Sequence, residues 1–192
     1  MTIKLKGNWK KGFAFDVHTL DSTYLGVDAN GRDRWENTRS EMGQLVYDLK
    51  YGRDRAAVEK IVDLLDKMKG IETMDCIIPI PPTNPGRRFQ PVTEIARELG
   101  KRAGVEVLDK VLLKRPGGPE LKNVDDPVER TKLLRKSLIL AKDSRIFGKN
   151  VLLVDDLYRS GATLSAATEI LLKQGKARAV HVLTMTKTRS RR

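Results

Sequence analysis

Residues 151–154, Val-Leu-Leu-Val, are followed at once by Asp155 and Asp156 and shortly after by Ser160-Gly161-Ala162-Thr163. No other stretch constrains the chain as much. A run that is apolar at every residue suits a strand buried on both faces, as in parallel sheets with helices on each side. Such a strand delivers the next residues to the carboxyl edge of the sheet, where ligands bind in open α/β folds. Residues 161–174 then carry helical spacing, with Leu164, Ala167, Ile170 and Leu171 inward and Gly175 at the stop. The first backbone N–H groups of that helix lack intrahelical partners and the helix dipole favours an anion there, so the opening suits a phosphate. Gly161 lets the backbone come close, and the Ser160 and Thr163 hydroxyls add hydrogen bonds. Asp155 and Asp156 would repel a phosphate but suit a neighbouring diol or a divalent cation. Phosphate and diol side by side describe a ribose 5-phosphate. The plainer alternative is that the aspartates cap a turn and Ser160 caps a helix.

The rest of the chain fits the same architecture. Residues 76–80 and 105–108 read as short strands, residues 137–140 as a further one, and residues 179–183 as the last clear strand. Residues 91–103 read as a helix with Pro91 near its first turn. Two helices precede them. One opens at Thr38 and Glu41 with capping-box spacing and carries Met42, Leu45, Val46 and Leu49. The other covers residues 54–69, with Val58, Ile61, Val62, Leu65 and Met68 as its stripe and Gly70 as its stop. Alternating strands and helices imply a doubly wound parallel sheet. Residues 1–37 differ: polar, turn-rich, with Asn30-Gly31 predicting a type I′ hairpin and two or three antiparallel strands. The expected division is a β-rich extension over residues 1–40 and an α/β domain over residues 41–192.

Charge and cysteine usage narrow the function classes. The 192 residues carry 37 Lys/Arg against 25 Asp/Glu, a net +12, with 40% hydrophobic residues. That apolar content excludes a disordered chain. Residues 110–149 hold eleven Lys/Arg and five Asp/Glu, half of the excess, and Lys187, Arg189, Arg191 and Arg192 come near the end. Such a balance points to a polyanion: nucleic acid, a membrane surface or a phosphate-rich small molecule. No apolar face accompanies the charge, so the membrane is the weakest of the three. Cys76 is the single cysteine, which excludes an intramolecular disulfide and a cysteine-based zinc site and fits a reducing compartment. No run approaches the roughly 18 apolar residues of a membrane span, and the first residues lack the apolar core of a signal peptide. The expected location is cytoplasmic. A nucleoside triphosphatase would need G-x-x-x-x-G-K-[ST], which is absent, as is G-x-G-x-x-G.

Residues 151–164 resemble the phosphoribosyl-pyrophosphate (PRPP) binding motif of the type I phosphoribosyltransferases: strand, acidic pair, hydrophobic-x-x, then S/T-G-A-T. A narrower resemblance is to the ComF family of competence-related phosphoribosyltransferase homologues. Leu49-Lys50-Tyr51-x-x-Asp54 is similar to its L-K-Y-x-x-D. Ile77-Ile78-Pro79-Ile80-Pro81 with Arg87-Arg88-Phe89-Gln90 is similar to its V-P-V-P and R-G-F-N-Q. Leu121-Lys122-Asn123-Val124 is similar to its Q-K-G-L segment. The resemblance covers roughly residues 41–188. Members often begin with a cysteine zinc module, which one cysteine cannot build, and the loops R-R-F-Q and L-K-N depart from the family pattern.

The resemblance implies a type I phosphoribosyltransferase-like fold with residues 1–40 as a hood over the acceptor. It implies a transferase that moves the phosphoribosyl group of PRPP to a base-like acceptor with release of pyrophosphate, aided by Mg2+. Asp155 and Asp156 would hold the ribose hydroxyls and the Mg2+ that accompanies PRPP. Ser160, Gly161, Ala162 and Thr163 would hold the 5-phosphate, with Tyr158 and Arg159 in the turn before them. Pro82 and Thr83 fall where the family binds pyrophosphate, and Arg87 and Arg88 would neutralise its charge. Two adjacent prolines make a cis bond cheaper there, although a tight trans turn is the simpler outcome. Lys114, Arg115 and Lys122 would belong to the mobile catalytic loop, which Gly117 and Gly118 would hinge. His181 is expected to be structural. Trp9 and Trp35 either pack or, for Trp35, stack on a base. A homodimer is common in this fold. The alternative function is a non-catalytic nucleotide or single-stranded DNA binding protein of DNA uptake, using the basic surface.

Overall fold

The computed structural model describes residues 2–52, 54–82, 84, 86, 88–115, 133, 136–142 and 144–189. In chain order the strands and helices are β1 (Ile3–Lys4), β2 (Lys11–Val17), β3 (Thr19–Val27), β4 (Asp33–Arg39), α1 (Glu41–Tyr47), α2 (Ala56–Leu65), β5 (Cys76–Pro79), α3 (Pro91–Ala103), β6 (Leu112–Lys114), β7 (Leu138–Leu140), β8 (Asn150–Tyr158), α4 (Ala162–Lys173) and β9 (Ala179–Lys187). The main sheet runs β1-β2-β9-β8-β5. Its pairs β2–β9, β9–β8 and β8–β5 are all parallel, and only the short edge strand β1 is antiparallel. The fold is α/β with a mostly parallel central sheet, as expected.

The apolar run finds cover on both faces. On one face Leu153, Ile78, Val180 and Val182 pack with Leu164, Ala167, Ile170 and Leu171 of α4. On the other, Leu152, Val154, Ile77 and Leu183 meet Met42 and Val46 of α1, Ile61, Val62 and Leu65 of α2, and Ile95 and Leu99 of α3. Arg102 of α3 bridges to Asp63 of α2, to Asp66 at its end and to Glu98 in its own helix. Leu153 has no exposed surface. Leu153→Ala is expected to cost about 2–5 kcal/mol, through lost transfer energy plus the cavity left in a close-packed site. The urea midpoint checks this, with Leu113→Ala at a part-exposed position as the control.

Several expectations shift. Ser40, not Thr38, caps α1: its Oγ accepts from the Gly43 N–H at 3.0 Å and donates to the Val17 carbonyl. A wider π-type turn over residues 48–52 extends α1. α2 ends at Leu65, ahead of Gly70, in a turn closed by the Met68 N–H on the Leu65 carbonyl. Residues 105–108 make one parallel bridge, Val107 to Ile77, flanked by two backbone hydrogen bonds, rather than a ladder. β7 pairs with β6 in a separate antiparallel ribbon. β8 runs four residues past the apolar stretch, through both aspartates to Tyr158, because β9 pairs with it to Lys187.

The first 40 residues divide between two locations. β1 and β2 belong to the main sheet, while β3 and β4 form a ribbon of their own. The ribbon's turn is not type I′. Gly31 has φ +75°, but Asn30 does not share the positive φ that type I′ requires. Asp28 decides the turn: its Oδ1 accepts from the N–H groups of Asn30 and Arg32 at 2.8 and 2.9 Å, and its carbonyl accepts from Gly31.

Candidate functional site

β8 brings Asp155 to the carboxyl end of the sheet, and the turn after Tyr158 leads back over it. A cavity of about 90 Å3 is lined there by Asp155, Leu157, Tyr158, Arg159 and residues 160–164. Strand residues alternate faces, and this separates the two acids. Asp155 opens on the α4 side. Asp156 points to the α1 side, where the Lys50 Nζ sits 2.6 Å from its carboxylate.

Gly161 shapes the floor of the cavity. Its φ of +76° lies in the left-handed region, and a Cβ there would stand 2.8 Å from the Tyr158 ring. That ring cannot swing away freely, because it meets Trp9 edge-on at 6.4 Å between centroids. Trp9 is itself buried and donates its Nε1 hydrogen to the Leu5 carbonyl, so it is a packing aromatic. With glycine as the cap, no side chain closes the end of α4. Among the described residues Ser160 Oγ alone approaches the first N–H, that of Ala162, at a long 3.4 Å. The Thr163 and Leu164 amides are first-turn donors with no intrahelical acceptor, and both residues line the cavity.

Burial and the neighbouring Asp156 carboxylate push the Asp155 carboxyl up to about 8, with the Asp156 N–H, Lys50 and Lys114 opposing. Lys114, at the end of β6, is pushed down by its burial while Asp155 pulls it up, which places it within electrostatic reach of the cavity. Arg115 comes next, exposed, its backbone N–H on the Ser137 carbonyl. An acid whose folded value lies above its unfolded value near 3.8 favours its protonated form in the fold. The ligand-free protein is therefore expected to lose stability as pH rises from about 4 to about 8, and to level off above that. Asp155→Asn should flatten this slope, which melting temperatures across the pH range would read.

A divalent cation suits this place. The Asp155 carboxyl lines the cavity and is a hard oxygen donor, the kind such a cation takes, whereas the Asp156 carboxylate already has Lys50. Magnesium of this kind keeps several waters and takes one or two carboxylates together with substrate oxygens. No group of three or more His, Cys, Asp or Glu side chains forms a metal cage among the described residues.

The remaining predicted residues fall in three places. Pro81 and Pro82 lie half-buried just beyond β5, and among the described residues no peptide bond is cis. Asn84 holds the loop after them, accepting from the Gly86 N–H and, through its carbonyl, from Gln90 Nε2. Arg88 lies elsewhere: it lines a hollow of about 450 Å3 between α2 and α3 with Arg55, Phe89, Arg97 and three glutamates. Its charge balance is mixed and it does not include Asp155. Thr83, Arg87 and Lys122 lie outside the described residues, as does the glycine hinge at 117–118.

Sequence spacing missed the cationic partner of Asp156. Lys50 lies in a motif that resembled a known family but carried no assigned role, and only the fold sets it on Asp156. His18, just past β2, contacts Thr186 Oγ1 through Nδ1 at 3.1 Å. Burial, then Arg39 and Lys50, push His18 down while Asp156 pulls it up, so these groups share one neighbourhood. Arg39 lies 3.8 Å over the Tyr47 ring. His181 sits half-buried within β9 opposite Lys11 and Leu152, as a structural residue would. Among the described residues no helix is long and apolar enough to cross a membrane.

No protein-family model matches the chain. It is 41% identical over 54 residues to competence protein ComFC of Bacillus subtilis (strain 168). That stretch is 28% of this chain and 22% of that protein, so the match spans about a fifth of the relative. Among solved structures it resembles adenine phosphoribosyltransferase from Thermoanaerobacter pseudethanolicus at 16% identity, over 86% of this chain and 94% of that one, with a TM-score of 0.48. Orotate phosphoribosyltransferase from Aeropyrum pernix is 16% identical over 85% of this chain and 75% of its own, with a TM-score of 0.44.

Proposed function

We propose that the chain binds PRPP in the cavity between Asp155 and the loop at 160–163 and transfers its phosphoribosyl group to an acceptor. One observation carries this reading: a carboxyl and an uncapped helix opening line the same small cavity. The 5-phosphate takes the first-turn amides of α4 and the Ser160 and Thr163 hydroxyls, where an anion meets the positive end of the helix. The ribose hydroxyls reach Asp155, and Asp156 lies on the next residue with Lys50 as its counter-charge. Lys114 and Arg115 stand on the pyrophosphate side, together with the loop after β5 at Pro82. When bound, Mg2+ would neutralise pyrophosphate oxygens beside Asp155.

In the proposed transfer the C1–O bond to pyrophosphate breaks as the acceptor's lone pair attacks C1 from the opposite face. The bonding pair leaves with pyrophosphate, and the positive charge that develops on the sugar ring is met by Asp155. The protein contributes positioning and electrostatics, and no side chain becomes a nucleophile. Titration calorimetry with PRPP and Mg2+ tests the binding, and pyrophosphate release with candidate bases tests the transfer. A wild-type chain with no heat on PRPP addition would end this reading.

A second reading rests on the 54-residue likeness to a competence protein and on the net charge of +12. In it the basic surface binds single-stranded DNA. Affinity should then fall steeply with salt, because each phosphate contact releases counterions. Fluorescence anisotropy of a labelled oligonucleotide from low to physiological salt reads this slope, and no binding at low salt would exclude it.

A further inference from the structure

Two hydrogen bonds fix the form of one histidine at the carboxyl edge of the sheet. The Thr186 hydroxyl, fully buried, donates its only hydrogen to the Asp156 carbonyl at 3.1 Å. Its oxygen can then only accept. His18 Nδ1 lies 3.1 Å from that oxygen, so Nδ1 carries the imidazole hydrogen and Nε2 the lone pair. No described residue bonds Nε2, and the ring is half-buried. Three charged groups act on it: Arg39 at the end of β4, Lys50 in the turn after α1 and Asp156 on β8. Burial and the two cations outweigh Asp156 and push the ring below its ordinary value of 6.5, so at neutral pH it is uncharged and the lone pair is open. Neither the fold nor the proposed sugar and phosphate contacts use this nitrogen.

Sheet register sets where His18 stands relative to Asp155. Thr186 pairs with Leu157, two residues on from Asp155, so Thr186 and Asp155 share one face of the sheet. The Thr186 contact brings the His18 ring to that face. Strands β5, β8, β9 and β2 lie in this order and run parallel, so their carboxyl ends share one edge. In the PRPP reading, pyrophosphate lies beyond β5 at Pro82. Attack on C1 then comes from the other side, toward β9 and β2, and His18 directly follows β2. β2 and β8 are two strand spacings apart, about 10 Å, which leaves room for one planar ring between His18 and a sugar held at Asp155. Resting on the PRPP reading, we infer that His18 is the general base of the transfer, that Thr186 is its positioning residue, and that the acceptor is a neutral heterocycle with an N–H. The acceptor nitrogen's pair closes on C1 and the C1–O pair leaves with pyrophosphate. The N–H proton passes to Nε2, giving an imidazolium that returns it to water.

Nitrogen-15 NMR of the histidine side chains in the full chain reads the resting form, and His18 should show a protonated Nδ1 and a bare Nε2. The variant His18→Asn keeps an N–H donor for Thr186 but has no base. Its PRPP affinity by calorimetry and its melting temperature should match the wild type. Pyrophosphate release is then measured from PRPP and Mg2+ with adenine, uracil or benzimidazole as acceptor, from acid to alkaline pH. The variant should release pyrophosphate about 10²–10⁴-fold more slowly, the usual loss of a general base. The wild-type rate should fall as pH drops through a value below 6.5, and the variant should lack that limb, which a merely structural histidine would not remove. A resting His18 with its hydrogen on Nε2 overturns the inference, whatever PRPP does. So does a variant with the wild-type rate and pH profile. A wild type that binds PRPP yet releases pyrophosphate with none of the three heterocycles also overturns it and leaves the PRPP site standing. A wild type that binds no PRPP ends both readings, and calorimetry shows this before any rate is measured.

Discussion

Asp155→Asn is expected to lower phosphoribosyl transfer by about 10²–10³-fold, the usual loss when one preorganised electrostatic partner of a transition state is removed. The carboxyl lines the cavity beside the loop at 160–163, and its amide replacement keeps shape but not charge. Asp156→Asn acts differently. That carboxylate faces Lys50 at 2.6 Å rather than the cavity, so its loss frees a half-buried ammonium instead of emptying the ligand's side of the site. The double variant should have no measurable transfer. Initial rates of pyrophosphate release at saturating PRPP would separate the two roles. Equal losses from both single variants would contradict the division between the two faces of β8.

Gly161→Val is expected to weaken PRPP binding by about 10–100-fold, the equivalent of one hydrogen bond to a charged group worth about 1.5–3 kcal/mol. Valine is strained at φ +76° and would place its Cβ 2.8 Å from the Tyr158 ring. The ring is pinned by Trp9, so the loop must yield and its amides turn away. The backbone strain itself should cost about 1–3 kcal/mol of stability. Calorimetric titration with PRPP and a parallel thermal melt would read both effects. Gly161→Ala should show the same signs with smaller sizes. A valine variant that binds PRPP as the wild type does would remove the phosphate from this loop.

Legibility in the sequence tracked the distance over which each feature is determined. The strand at 151–154, the loop at 160–163 and the helix after it lie in one contiguous stretch, so their order along the chain already implied their order in space. Helix α3 was legible end to end, because Pro91 and Gly104 bracket an amphipathic run. The partner of Asp156 was not, because Lys50 comes from a π-type turn in a distant part of the chain. The hairpin turn was misread because a dipeptide rule competed with the Asp28 carboxylate, which binds two amides at once. Residues 105–108 look like a strand by composition, but a single bridge is all that β5 offers them. Alternation along β8 was the subtlest miss: two neighbouring aspartates read as a pair, yet a strand that continues past them turns them to opposite faces.

The place of β2 in the sheet has a consequence for how the chain is made. Its neighbour β9 lies far along the sequence, with Phe13 beside Leu183 and Asp16 beside Thr186. A ribosome delivers the first of these strands long before the second. Until β9 emerges, β2 has only the two-residue β1 to pair with, and β8 lacks its neighbour on that side. The sheet therefore closes only once Ala179–Lys187 has followed Lys11–Val17 out of the ribosome, and its parallel, long-range pairing makes that closure slow compared with a helical bundle. During that interval the exposed strand edges are the segments on which a chaperone would act.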